Sequence, residues 1–169
     1  MRRAQRQRLF LVAVAVLLGA LAAWTQWRQP APPPATVLAL DPTTIARIDV
    51  QAGTTPWRRF EKRDGTWWMV EPHVAPADPE HLDRLANIAA AEVLRWRPAS
   101  DFDAVRIGLE PPFAVLRLDG HELVFGGLAA LAPQRYVRVG DHVALIGARF
   151  TGDLAVSPES ELAPSAGAP

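Results

Sequence analysis

Residues 57–72 read W-R-R-F-E-K-R-D-G-T-W-W-M-V-E-P. Asp64-Gly65 at their centre is a strong signal for a two-residue β-turn. The flanks Trp57–Arg63 and Thr66–Val70 then pair as the arms of a hairpin. Side chains alternate between the faces of a strand, so Phe60 shares one face with Arg58 and Lys62. Trp57 shares the other with Arg59, Glu61 and Arg63. Neither face is cleanly apolar, which leaves two readings of Trp57, Arg58, Arg59, Lys62 and Arg63. Long cationic stems can lie over core rings with their charges in water. Alternatively, these residues form a contact surface for a partner protein or an anionic lipid.

The same punctuation recurs along the chain. Phe113–Leu118 and Glu122–Phe125 flank Asp119-Gly120, and Tyr136–Val139 and Val143–Ile146 flank Gly140-Asp141. Ile45–Val50 is short and β-branched and reads as a strand. One segment, residues 79–91, is helical. Asp78 caps it, Pro79 suits its first position, and Leu82, Leu85, Ala86 and Ala89 recur at helical spacing. Val93–Arg97 is expected to return as a strand that stops at Pro98, and residues 101–105 to make one more helical turn. One helix among serial hairpins predicts an α+β fold with a mainly antiparallel sheet. The Leu82/Leu85/Ile88 stripe should lie on one face of that sheet.

The N-terminus has a different character. Residues 1–8 carry Arg2, Arg3, Arg6 and Arg8 with no acid, and residues 9–27 carry no charge. As a helix that stretch spans roughly 28 Å, close to the ~30 Å hydrocarbon core of a bilayer. Trp24 and Trp27 fall at its far edge, where indole rings favour the headgroup layer. The pattern predicts a single-pass signal-anchor, with the N-terminus cytoplasmic and the remainder outside. The alternative is a cleaved signal peptide and a soluble periplasmic protein, because Ala20-Leu21-Ala22 has the small-x-small pattern of a cleavage site. Residues 28–36 read as a Pro-rich linker, 37–155 as the folded domain, and 156–169 as a disordered tail poor in apolar residues.

Charge and composition exclude several functions. Five of the eighteen cations lie at or before Arg28 and all eighteen acids lie after it, so residues 29–169 are five charges negative. An acidic exported domain is a poor match for nucleic acid, which is bound through cations on phosphates. Cysteine is absent, which rules out disulfides, thiolate metal sites and a cysteine nucleophile.

Catalytic and cofactor signals are thin. No G-x-S-x-G elbow is present, and Gly126-Gly127 lacks the G-x-G-x-x-G pattern of a phosphate cradle. No histidine pair has zinc-helix spacing. The expectation is a non-enzymatic protein with no cofactor. One constellation stands out as a metal or ligand candidate. In an up-down meander the turns at Asp119-Gly120 and Gly140-Asp141 lie at one end of the sheet, so Asp119, His121, Asp141 and His142 approach one another. The plainer reading is four solvated turn residues.

The order of motifs is itself informative. Asp64-Gly65-x-Trp67 precedes Pro72, Ala77-Asp78 opens the helix, and Gly108-Leu109-x-Pro111 follows. A hairpin then ends in Gly126, before Arg135-Tyr136-Val137-x-Val139 and a Val-x-Leu strand. Over residues 44–154 this resembles the bacterial membrane-anchored family catalogued as domain of unknown function 4340. The resemblance implies an exported, anchored protein working beside an ABC-type transporter, with an inner-membrane protein as partner. It implies no catalytic residues. The chain departs from many members in carrying a single copy of a unit they often repeat. Residues and resemblance together lead to a periplasmic domain that acts through protein contacts, as an accessory of a transporter or envelope complex. A small-ligand or envelope-polymer binding domain is the alternative.

Overall fold

The computed structural model of this chain describes Gly19 and residues 35–130, 133–155 and 161–162. The chain divides into residues 1–33 and 34–169. The expected span at 9–27 lies outside the described residues except for Gly19, which is helical. Among the described residues, no helix is long and apolar enough to cross a membrane.

The domain is α+β. Nine strands form one sheet: β1 (Arg47–Ala52), β2 (Arg58–Arg63), β3 (Thr66–Glu71), β4 (Ala75–Pro76), β5 (Val93–Pro98), β6 (Ala114–Leu118), β7 (His121–Leu128), β8 (Gln134–Val139) and β9 (His142–Gly147). Their order is β4-β3-β2-β1-β6-β7-β8-β9-β5. Every adjacent pair is antiparallel. The turns explain the hairpins. Asp64 and Gly65 have φ of 49° and 80°, and Asp119 and Gly120 have 47° and 88°. Positive φ at both central residues gives the turn whose twist matches paired strands.

Among the described residues of the domain one α-helix forms, α1 (Pro79–Ala86), and it opens at Asp78, whose side chain accepts the Glu80 N–H. It is shorter than the expected 79–91, because Asn87–Ala90 tighten into a 3-10 turn. There Asn87 donates from its side chain to the Asp83 carbonyl. Leu82, Leu85 and Ile88 are fully buried, as their spacing requires. They meet Ile48, Val50, Phe60, Trp67 and Met69 from β1–β3, and Leu116, Leu118, Leu123 and Phe125 from β6 and β7, in one core. A second 3-10 segment, Ala148–Ala155, covers the same face and inserts Leu154.

A smaller core lies on the opposite face of β6–β9. Phe102, Ile107 and Leu109, from the connection before β6, pack there on Val115, Val124, Tyr136 and Val143. The clamp is a close backbone approach, with the Gly127 N–H donating to the Ile107 carbonyl at 2.7 Å. A Cβ on Gly126 would sit 2.6 Å from that oxygen, so the glycine is required for contact. Gly126-Gly127 therefore lies inside β7, where the sequence suggested a strand end. The helical turn expected at 101–105 forms earlier, as a 3-10 turn over Ala99–Asp101.

Two boundaries move outward from the sequence expectation. Thr36, assigned to the linker, bridges Glu92, and Val93 donates to the Ala35 carbonyl. Glu161 and Leu162, assigned to a disordered tail, are ordered. Leu162 bridges Ala77, and the Glu161 carbonyl accepts the Asp78 N–H at 2.9 Å. The tail is poor in apolar residues, but these two find a backbone edge and a buried charge to pair with.

Candidate functional site

The alternation along β2 distributes the residues of the opening stretch between two environments. Phe60 is fully buried and Arg58 is 3% exposed on the α1 side, with Lys62 half-buried beside them. Lys62 Nζ lies 5.3 Å from the Trp67 ring centroid, with its stem over that ring. Trp67 is a core ring, 1% exposed, and its indole N–H donates to Asp83 of α1 at 3.1 Å.

Trp57, Arg59, Glu61 and Arg63 face the other way, with Trp68 of β3 half-buried on the same side. Here the cations are paired across strands. Arg59 donates to Asp49 on β1 at 3.0 Å and to Glu71 on β3 at 2.8 Å. Those bonds, with Asp49 the stronger partner, raise the Arg59 guanidinium above its ordinary pKa. Glu61 pairs with both Arg63 and Arg47. Arg117 of β6 stacks 4.5 Å over the Trp57 ring while bonding Glu122 at 2.8 Å. Of the four cations of residues 57–72, Arg58, Arg59 and Arg63 each face a carboxylate, and Lys62 lies beside the Trp67 ring. An anionic lipid would find the arginine charges already matched. What remains is an aromatic and ion-paired face on β1–β3, opposite the side that α1 covers. Among the described residues, the layer that packs on this side of the sheet reaches β6–β9.

The second arrangement is a buried polar cluster that the sequence did not disclose. Glu161 is 0% exposed, with Oε2 3.3 Å from Arg58 Nε and Oε1 3.5 Å from His81 Nε2. His81, the third residue of α1, is 2% exposed, and its Nδ1 faces Asp153 Oδ1 at 3.8 Å. Arg84, one turn further along α1, pairs with Asp153 at 3.2 Å. Strand β2, helix α1, the Ala148–Ala155 segment and the chain's last described residues thus meet around His81, which lies between the Glu161 and Asp153 carboxylates. Helical spacing placed His81 beside the Leu82/Leu85 stripe, and that was the only available signal of its burial.

The metal candidate separates into individual roles. The Asp119 carboxylate accepts the backbone N–H groups of Arg47 at 2.8 Å and Ala46 at 3.2 Å, tying the β6–β7 turn to the entry of β1. His142 packs edge-on against Trp96, 6.4 Å between centroids. His121 lines an open groove of about 350 Å³ with Glu122, Val124 and Arg138. Asp141 offers its backbone carbonyl to the Ala99 N–H. Among the described residues, no three His, Asp or Glu side chains gather as a group able to hold a metal ion.

Other perturbed groups have structural causes. The Thr43 hydroxyl and N–H hold the Asp41 carboxyl below the ordinary range, as the cap of a 3-10 turn. Burial lowers Arg135, whose guanidinium stacks 3.9 Å over Phe113 and donates to Thr151 and the Gly126 carbonyl.

No family model, curated protein or solved structure matches the chain.

Proposed function

We propose that this chain is a non-catalytic periplasmic domain, anchored in the inner membrane through residues 9–27, that acts by protein contact as an accessory component of an ABC-type transporter or related envelope complex. The observation that carries this proposal is the outer face of β1–β3, which no layer among the described residues covers. Trp57 and Trp68 lie there half-buried among charges held by the cross-strand pairs of Arg59 with Asp49 and Glu71 and of Arg47 with Glu61. Aromatics and arginine are the residues that protein interfaces favour, and paired charges lower the desolvation a partner must overcome. In this reading the apolar segment and the Pro-rich linker tether the domain to the bilayer. The resemblance noted above suggests the same setting.

Anchoring is tested on native membranes. Alkaline carbonate should leave the full chain in the pellet, and detergent extracts should co-isolate a permease and its ATPase. Quantitative release of a species lacking about its first 23 residues, the cleavage expected at a small-x-small site, would overturn the anchor.

A further inference from the structure

The Glu161 carboxylate occupies its pocket with an imperfect fit. Both oxygens are buried, and neither makes a hydrogen bond among the described residues; the same is true of His81 Nε2. The contacts to Arg58 and His81, at 3.3 and 3.5 Å, are charge contacts only. Taking a carboxylate out of water has a large cost, recovered only when hydrogen bonds fill its lone pairs. A pair selected for stability alone would orient the carboxylate to collect those bonds. This pocket instead supplies a cation from β2 and an imidazole from α1, and leaves the carboxylate's acceptor sites unfilled.

The manner of docking points in the same direction. Glu161-Leu162 is held through its main chain as well as its side chains. Glu161 lies in a 3-10 turn and its carbonyl accepts the Asp78 N–H, Leu162 makes one backbone bridge to Ala77, and its side chain packs against the main core. Main-chain contacts, one apolar side chain on the core and one acid in a cationic pocket are the parts from which recognition of a short peptide is built.

We infer that Arg58 and His81 form a carboxylate-binding site for a short acidic–apolar peptide segment, and that Glu161-Leu162 fills it in cis. A partner segment with an acid followed by an apolar residue takes the same place and displaces the tail. The site lies on the α1 side of the sheet, and its chemistry is independent of the outer face of β1–β3.

The test is rescue of the full chain carrying Glu161→Ala. Removing one partner of a buried charge cluster should lower the melting temperature by about 10 °C. Formate and acetate should restore much of that loss in a saturable way, while chloride at equal ionic strength does not. The wild-type chain, with its site filled, should respond to formate and chloride alike. N-acetyl-Glu-Leu-amide should rescue at lower concentration than acetate, and N-acetyl-Gln-Leu-amide should not rescue. Equal responses to formate and chloride in the variant would overturn the site. A dipeptide no better than acetate would overturn the peptide class. If Glu161→Ala does not fold, Glu161→Gln carries the test. The Glu-Leu dipeptide should then shift the His81 imidazole ¹⁵N resonances saturably, and an absence of shift overturns the inference.

Discussion

Replacing Trp67 by alanine should lower the stability of the domain by about 3–5 kcal/mol, read as a fall in the urea midpoint with little change in slope. The ring is 1% exposed and joins the core beneath α1. Its loss removes a large apolar surface from burial and opens a cavity that the sheet cannot readily close. It also removes the indole donor to Asp83, which ties β3 to the helix. Trp68→Ala provides the contrast. That ring lies one residue further along β3, half-buried on the opposite face. Its removal should change stability by about 1 kcal/mol or less, in the range of surface substitutions. A large difference between adjacent tryptophans is what strand alternation requires. Comparable losses would mean that both rings serve the core and that the outer face is not free for contact.

Arg58→Ala is expected to be equally severe, at about 3–5 kcal/mol, because among the described residues it leaves the buried Glu161 carboxylate facing only His81. Arg58→Lys should recover only part of the loss, since a compact ammonium does not reproduce the planar guanidinium. The double replacement Arg58→Met with Glu161→Leu should be milder than either single change, as both buried charges leave together. Urea titrations of the two single variants and the double variant give the coupling directly. Additive losses would show that the two side chains do not act as a pair.

The hairpins were legible because their signals are local. Asp64-Gly65 and Asp119-Gly120 adopt the positive φ that makes those turns, and the Asp78-Pro79 start of α1 is likewise a property of adjacent residues. The division of β2 into an Arg58/Phe60/Lys62 side and a Trp57/Arg59/Arg63 side followed from alternation alone. Features that depend on distant partners were not legible. Arg58 could be placed on one face with Phe60, but its burial requires Glu161, which lies in a segment without apolar periodicity. Likewise, the cations of residues 57–63 look like a basic cluster in sequence. Arg58 and Arg59 are matched by Asp49, Glu71 and Glu161 on other elements. Gly126-Gly127 resembled a strand terminus because glycine is a frequent breaker. Its actual role, admitting the Ile107 carbonyl, is visible only once the connection before β6 folds over β7.

The two faces of β2 therefore serve different purposes. One closes the core and holds an acid, and the other presents rings among paired charges. A photo-crosslinking side chain placed at Trp68 in the full chain, irradiated in native membranes, tests this division most directly. The account predicts an adduct with an integral membrane subunit of a transporter or envelope complex, lost when Trp57→Ala and Arg59→Glu are introduced. A probe at Trp68 that yields no adduct, in membranes where the chain is folded and retained, would contradict it.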